Sequence, residues 1–253
     1  MTASAIPSVD YKIDVLRAVE DGYSHAFRNW SALADLSWLP FLVVVVSQLV
    51  AYGISNGGLA GGLVGQLIYT FGFLVFATIF IARWHRFVLL DERHSDELFT
   101  PAWQKFFFRT IELTLIVIVA WIVLVYLAYI PPRWLTVPLF PLVGGIALVI
   151  LSTRMSLAFP AAAIDRPLSL RESWDRVAGN SWRLFASAGI CWIPFAFAGV
   201  GIEFIGGGDG WIVWLVCQVL AIGVYFLGLA VVAGLLSEVY RHIIGDPRAA
   251  VSR

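Results

Sequence analysis

The sequence predicts an all-α polytopic membrane protein with six transmembrane helices in three hairpins, each preceded by an interfacial amphipathic helix on the cytoplasmic side. The first observation is composition: 60% of the 253 residues are hydrophobic and 13% are charged, whereas charged residues form about 25% of a soluble domain. The second is six apolar runs, each with the ~20 residues that cross a hydrocarbon core about 30 Å thick. The third is a concentration of lysine and arginine on one side of these runs.

The first hairpin is predicted to follow an amphipathic helix at Ile13–Leu33. Apolar residues recur there every three or four positions, a spacing that places them on one face of a helix. They are Ile13, Leu16, Val19, Tyr23, Phe27 and Trp30. Spans are predicted at Leu36–Ile54 and Leu63–Ala82, and the charged segment Arg83–Leu98 is predicted to lie in water or among lipid headgroups.

The second hairpin is predicted to begin after Thr100, a favourable N-cap residue, and Pro101, which suits the first position of a helix. A short interfacial helix with aromatic residues leads from there to Arg109. Spans three and four are predicted at Ile111–Ile130 and Thr136–Ala158, and a short segment that begins with two prolines separates them.

The third hairpin is predicted to follow an amphipathic helix at Leu170–Phe185. Ser169 and Glu172 have the spacing of a capping box, in which each side chain accepts a hydrogen bond from an otherwise unpaired amide at the helix start. Span five is predicted at Leu184–Phe204. A glycine-rich turn then leads into span six at Trp211–Leu236, and the charged segment after it is short.

The basic residues predict the orientation of the chain. Sixteen of the 17 lysines and arginines lie on the side of the spans that carries both termini, and Arg133 lies on the other side. Because cytoplasmic loops carry an excess of these residues, both termini are predicted to be cytoplasmic. The segment Met1–Tyr11 has no apolar run behind a basic start, so no cleaved signal peptide is expected.

The chain is predicted to be a single integral membrane domain, residues 1–253, with possible repeat units at 12–93, 98–165 and 168–246. Each unit has a surface helix, a span, a tight turn and a second span. An aromatic residue followed by arginine precedes the first span of each unit. These pairs are Phe27-Arg28, Phe108-Arg109 and Trp182-Arg183. Two explanations of this pattern are open: internal homology between the units, and the general similarity of membrane hairpins.

Four arginines are candidate ligands of lipid headgroups or of another anion. Arg28, Arg109 and Arg183 each lie shortly before a span. Arg154 lies inside the cytoplasmic half of span four, where a charge is costly in hydrocarbon. Its side chain either extends to the lipid phosphates, as long basic side chains do near helix ends, or binds an anionic ligand or substrate.

Two acidic residues near the opposite side, Glu203 and Asp209, form a candidate outer polar site. The alternative is that both are ordinary carboxylates at the headgroup level. His85 and His94 share a region with four acidic residues. This region indicates a hydrated loop rather than a metal site, because it lacks the spacing of metal ligands on a helix.

Signals for catalysis, cofactors or nucleic acid are weak. The sequence has no Gly-x-x-x-x-Gly-Lys or Gly-x-Gly-x-x-Gly loop for phosphates and no Cys-x-x-Cys pair. Cys191 and Cys217 lie in predicted spans, where a thiol behaves as a small apolar group, and a disulfide between them is the alternative. The 17 acidic residues balance the 17 basic ones, so the charge favours no nucleic-acid partner. No cofactor is expected.

Three stretches carry a resemblance to a known group. They are Arg83–Leu90, Leu157–Ala161 and Leu170–Trp174. With them the chain resembles bacterial YciC-type inner-membrane proteins and the membrane domain that precedes glycerophosphodiester phosphodiesterase domains. The resemblance covers most of the chain, mainly through Arg154–Phe185, and implies a six-span protein of the bacterial inner membrane without assigned activity. It carries over no phosphodiesterase activity, because this chain shows no soluble phosphodiesterase domain.

The first functional hypothesis is a non-enzymatic membrane protein with a structural or interaction role. Its surface helices and basic residues would bind membrane lipids or a larger membrane complex at the cytoplasmic leaflet, with other membrane proteins or a second copy of the chain as further partners. The alternative is a transporter or permease for an apolar or lipid-like molecule, with a path near Arg154. An intramembrane enzyme is the third hypothesis, and no enzyme activity is expected.

Overall fold

The structure is a computed structural model that describes residues 12–55, 58–93, 97–128, 133–166, 168–207 and 210–248. Within these ranges the chain forms nine α-helices and no β-strand. In chain order they are α1 Val15–Arg28, α2 Trp30–Ser55, α3 Gly58–Leu90, α4 Pro101–Ala128, α5 Arg133–Met155, α6 Ala158–Ala163, α7 Leu170–Arg176, α8 Ser181–Gly206 and α9 Trp211–Ile244. Six segments of this described part are long and apolar enough to cross a membrane. The predicted all-α polytopic fold is therefore confirmed.

Three helical hairpins form the bundle: α2 with α3, α4 with α5, and α8 with α9. α3 and α9 lie at its centre, because each packs against the other as well as against its own hairpin partner. Aromatic rings fill the space between them, and the ring centroids of Phe80 and Phe226 are 5.2 Å apart. Each hairpin also contacts the next: α4 packs on α3, α8 on α5 and α2 on α9. This cyclic order is compatible with three repeat units, whose homology stays a prediction.

α3 and α9 are longer than the predicted spans Leu63–Ala82 and Trp211–Leu236. They have 33 and 34 residues, which is about 50 Å of helix at 1.5 Å per residue, against a hydrocarbon core about 30 Å thick. Both helices therefore extend past the hydrocarbon. We name one end of the bundle the basic end: α2, α4 and α8 begin there, and α3, α5 and α9 end there.

The prediction that Arg83–Leu98 lies entirely in water or among headgroups was wrong. α3 continues through half of this segment, and Trp84 and His85 are fully buried within the extension. The reason is that the apolar residues of this stretch join the same core cluster as Tyr240 of α9. Burying that surface favours a helix even though the intervening residues are charged.

The first surface helix is shorter than the predicted Ile13–Leu33. α1 ends at Arg28, and α2 begins at Trp30, so the last residues of the predicted helix belong to the first span. In the second unit α4 is continuous from Pro101. The predicted interfacial helix up to Arg109 is therefore the first part of the spanning helix, because no residue there interrupts the helical hydrogen bonds.

The third surface helix also differs from the predicted Leu170–Phe185. α7 ends at Arg176, and α8 begins at Ser181. Between them Gly179 has a φ of 86°, a left-handed conformation that glycine adopts without strain. The helix of span four is interrupted: α5 stops at Met155, and the short helix α6 continues the apolar segment and packs against α3, α4 and α9.

Candidate functional site

α1 lies at the basic end and packs against α9 through a face of small residues. Ala18, Gly22 and Ala26 recur every four positions and are buried. A Cβ atom on Gly22 would lie 2.9 Å from the Val231 carbonyl oxygen. The two helix backbones therefore approach closely enough to require glycine, and this face of α1 belongs to the bundle interior.

Hydrogen bonds join the start of α1 to the start of α8. The Ile13 amide donates to Asn180 Oδ1 at 2.9 Å, and Arg183 Nη1 donates to the Ile13 carbonyl oxygen at 2.9 Å. Further along α1 the Tyr23 hydroxyl donates to the Cys191 carbonyl oxygen at 3.2 Å. These partners lie 167 to 170 positions apart, so no local sequence pattern could have predicted them.

A second face of α1 is apolar and exposed. Leu16 and Phe27 on this helix, Trp30 at the start of α2 and Trp182 in the first turn of α8 are between 54% and 77% exposed. Because spanning helices begin here, these side chains lie where aromatic residues are favoured at a membrane–water boundary. The predicted amphipathic character of α1 is confirmed. Of the predicted apolar stripe, Leu16, Phe27 and Trp30 are exposed, whereas Ile13 is buried and Val19 and Tyr23 pack against the core.

A charged network joins α1 to α9 beside the small-residue face. Glu238 accepts a hydrogen bond from Arg241 Nη1 at 2.8 Å, and its Oε2 lies 3.4 Å from His25 Nε2. Burial, and then the negative charge of Glu238, raise the pKa of Asp21 on α1 above its ordinary value. Sequence spacing signals part of this network, since Glu238 and Arg241 are three residues apart on one helix. His25 is on a distant helix and gave no such signal.

Arg154 lies at the basic end of α5, where it meets α7 and α8. Its Nε donates to the Ser181 hydroxyl at 2.7 Å, and its guanidinium carbon lies 4.3 Å from the centre of the Trp174 ring. Its carbonyl oxygen accepts a hydrogen bond from the Ser173 hydroxyl at 2.9 Å. Among the described residues no carboxylate pairs with this guanidinium, and Nη1 and Nη2 donate to no protein acceptor. Neutral groups therefore hold Arg154, and two of its nitrogens are available to a ligand.

The predicted capping box at the start of α7 is confirmed. The Glu172 amide donates to Ser169 Oγ at 3.1 Å, and the Ser169 amide donates to Glu172 Oε2 at 2.8 Å. The hydrogen bond from the Ser169 amide, and then that from its hydroxyl, lower the pKa of Glu172 below its ordinary value. The capping box fixes where α7 begins and therefore where Trp174 lies relative to Arg154.

The other three predicted arginines lie on separate elements. Arg28 is the exposed last residue of α1, and Arg183 lies in the first turn of α8. Arg109 Nη1 lies 2.6 Å from Glu112 Oε2 on the same helix, α4. Arg154 and Arg183 thus border the start of α8, whereas Arg109 already has a carboxylate partner. The headgroup role of all four stays a prediction.

The structure does not bring the residues of the remaining predicted polar sites together among the residues it describes. Glu203 is exposed near the end of α8, and Asp209 lies outside the described residues, as does His94. His85 is buried in α3, and its Nδ1 lies 2.7 Å from the Ser237 hydroxyl oxygen. Across the described ranges no group of three or more His, Cys, Asp or Glu side chains is arranged to hold a metal.

Two features that bear on chemistry have ordinary structural roles. Cys191 and Cys217 are buried free thiols, so no disulfide joins them.

Residues 53–57 match the letters Gly-x-Ser-x-Gly, a pattern that exposes a nucleophilic serine when it forms a strand-to-helix turn. Here Ser55 ends α2, and its hydroxyl donates to the Ala51 carbonyl oxygen at 2.7 Å. Helical serines commonly make this bond to their own backbone.

No family model, curated protein or solved structure matches this chain. The resemblance to bacterial YciC-type proteins therefore stays an expectation from the sequence. The functional conclusion depends on the geometry of the basic end.

Proposed function

We propose that this chain is a non-enzymatic protein of the bacterial inner membrane, with a structural or interaction role carried by its basic end. The exposed stripe of α1, continued by Trp30 and Trp182, inserts into the boundary of the cytoplasmic leaflet. Arginines at the same end contact anionic headgroups. Both termini are cytoplasmic in this orientation, which agrees with the excess of basic residues on that side.

The observation that carries this proposal is the division of α1 into three faces. Leu16 and Phe27 lie exposed on one face, small residues pack against α9 on a second, and the remaining exposed surface carries charged residues, Arg17, Glu20 and Arg28. A helix with an apolar face and a charged face lies in the plane of a bilayer interface, with the apolar face about 5–10 Å deep. Each basic side chain near an anionic leaflet contributes about 1 kcal/mol to binding.

Lipid retention tests the proposal. The protein is extracted in a mild detergent, and the phospholipids that co-purify with it are compared with the composition of the source membrane. We expect enrichment of anionic over zwitterionic lipids, and weaker enrichment in the double variant Arg17→Gln/Arg28→Gln. The matched control is Arg133→Gln, which removes a positive charge at the opposite end and leaves the enrichment unchanged.

Two results would contradict the lipid role. The wild-type protein could show no anionic enrichment, or the double variant could keep it in full. A polypeptide that co-purifies with the wild type and is lost in the double variant would instead favour binding of a larger membrane complex. The transporter alternative predicts flux of an apolar or lipid-like molecule in proteoliposomes that falls in Arg154→Ala.

A further inference from the structure

Arg154 differs from three other half-buried arginines of the described chain in what holds it. Arg86, Arg109 and Arg241 each form an ion pair with a carboxylate. The contacts of Arg154 are a hydroxyl group and an aromatic ring, both of which are neutral. Arg166, which is also half-buried, forms no ion pair among the described residues either, but its Nη2 donates to the Pro247 carbonyl oxygen. Neither Nη atom of Arg154 donates to an acceptor of the described residues, so these two donors are open to an anion from outside.

Two contacts fix the direction of this charge. Ser181 accepts the hydrogen of Arg154 Nε, and Trp174 covers the guanidinium plane at 4.3 Å, within the distance of a cation–π interaction. The edge that carries Nη1 and Nη2 remains. Two parallel N–H donors on this edge match two oxygens of one phosphate group, which is the geometry that makes arginine a phosphate ligand.

The position of the cluster indicates a lipid as the source of that phosphate. Arg154 is one residue from the end of α5, and Ser181 is the first residue of α8, so both lie where spanning helices meet the headgroup layer. Among the described residues no carboxylate pairs with Arg154, so its positive charge favours a lipid whose headgroup carries a net negative charge.

We propose that Arg154, Trp174 and Ser181 form a specific site for the phosphate of one anionic glycerophospholipid. This inference rests on the proposed lipid-binding role and assigns that role a defined ligand position. The surface of α1 contacts many lipids of the leaflet without selecting one, whereas this site binds one lipid in a fixed orientation. Arg154 is thereby a binding residue in addition to its packing role between α5, α7 and α8.

Native mass spectrometry of the detergent-solubilised full chain tests this site, with phosphatidylglycerol and phosphatidylcholine as the two probes. We expect the wild type to retain one phosphatidylglycerol more tightly than the others and to prefer it over phosphatidylcholine. Arg154→Gln weakens that lipid at least about tenfold, since it removes two charge-assisted hydrogen bonds. The control Arg171→Gln removes an exposed charge on α7 and leaves the affinity unchanged.

Trp174→Leu keeps the charge of Arg154 and removes its aromatic cover, so it decides the question if Arg154→Gln does not fold. We expect about threefold weaker phosphatidylglycerol binding, the magnitude of an exposed cation–π contact, and retention in Trp174→Phe. Equal affinity in the leucine variant and the wild type overturns the site. Displacement of the lipid by millimolar inorganic phosphate would assign the site to a soluble anion and overturn the lipid assignment.

The failures of the two proposals are distinguishable. If the anionic enrichment persists while Arg154→Gln and Trp174→Leu bind phosphatidylglycerol as the wild type does, the specific site is wrong and the surface role stands. If the wild type binds phosphatidylglycerol and phosphatidylcholine equally and shows no anionic enrichment, both proposals are wrong.

Discussion

Gly22 of α1 and Gly234 of α9 lie against each other, so closely that a Cβ atom on Gly234 would be 3.3 Å from the Gly22 carbonyl oxygen. Small residues allow this approach between helices in a membrane environment. Because the backbone of α1 makes the contact, Leu16 and Phe27 are left exposed for the lipid boundary. The position of the exposed stripe, and with it the proposed function, depends on this pair.

Replacing Gly22 with valine is expected to separate α1 from α9. The new Cβ would lie 2.9 Å from the Val231 carbonyl oxygen, and overpacking of this kind costs about 1–3 kcal/mol. Thermal unfolding in detergent and hydrogen exchange of residues 13–28 measure the effect. Gly53→Ala is the control, since nothing lies within 4 Å of its added Cβ. Unchanged protection of α1 in the valine variant would contradict the packing described.

Asn180→Ala is expected to release the start of α1. The substitution removes the acceptor of the Ile13 amide, and a buried amide without a partner costs about 1–3 kcal/mol. Faster hydrogen exchange in residues 13–18, with little change in α9, is the expected readout. The control is Asn29→Ala, which alters the opposite end of α1, where the Asn29 side chain donates to the His25 carbonyl oxygen. Equal exchange at the start of α1 in the two variants would argue against this anchor.

Asp21→Asn is expected to raise stability at neutral pH. Burial and the charge of Glu238 raise the pKa of Asp21 in the folded state, so ionised Asp21 destabilises that state. This cost is present above the folded pKa and is lost as the pH falls below the ordinary value of the unfolded chain. Thermal midpoints of variant and wild type therefore differ at neutral pH and converge in acid.

Asp35→Asn is the control for the substitution itself, because Asp35 is exposed on α2. Its thermal midpoint at neutral pH is expected to equal that of the wild type. If Asp21→Asn were less stable than the wild type at neutral pH, the contacts of Asp21 would stabilise the packing of α1 against α9. Its negative charge would then not be the dominant effect.

Two arginines cap the end of α3: Arg241 of α9, whose Nη2 donates to the Val88 carbonyl oxygen at 2.6 Å, and Arg248 in the segment after α9. Arg248 Nε donates to the Leu89 carbonyl oxygen at 3.0 Å, and its Nη2 donates to that of Val88 at 3.2 Å. The last carbonyls of a helix have no partner within it, and a basic group there stabilises it by about 1 kcal/mol. Arg248→Ala is expected to lower the unfolding free energy by that amount in denaturant titrations. An equal loss in Arg171→Ala, at an exposed site on α7, would mean that capping is not the cause.

The spans could be predicted from sequence because a single physical requirement determines them. A helix that crosses hydrocarbon needs about 20 apolar residues, and the observed α8, Ser181–Gly206, contains the predicted Leu184–Phe204. The capping box of Ser169 and Glu172 was also predictable, since both partners lie within one helical turn. Local chemistry determines both features.

The predictions failed where distant contacts decide the structure. Trp84 and His85 lie in a charged stretch that reads as a loop, yet packing against α9 makes the stretch a buried helix. The site around Arg154 shows the same limit. Sequence identified the arginine as an unusual charge in a span, but its partner Ser181 lies 27 positions away on another helix. Only the packing of α5 against α7 and α8 brings these side chains together.

The most direct test of the lipid-facing surface is the depth of α1 in a bilayer. Spin labels at Leu16→Cys and at Arg17→Cys, in a Cys191→Ala/Cys217→Ala background, are compared in nanodiscs by their accessibility to oxygen and to a water-soluble nickel chelate. We predict that the Leu16 label lies about 5–10 Å below the headgroups and that the Arg17 label lies in water. A Leu16 label as accessible to the chelate as the Arg17 label would contradict the account.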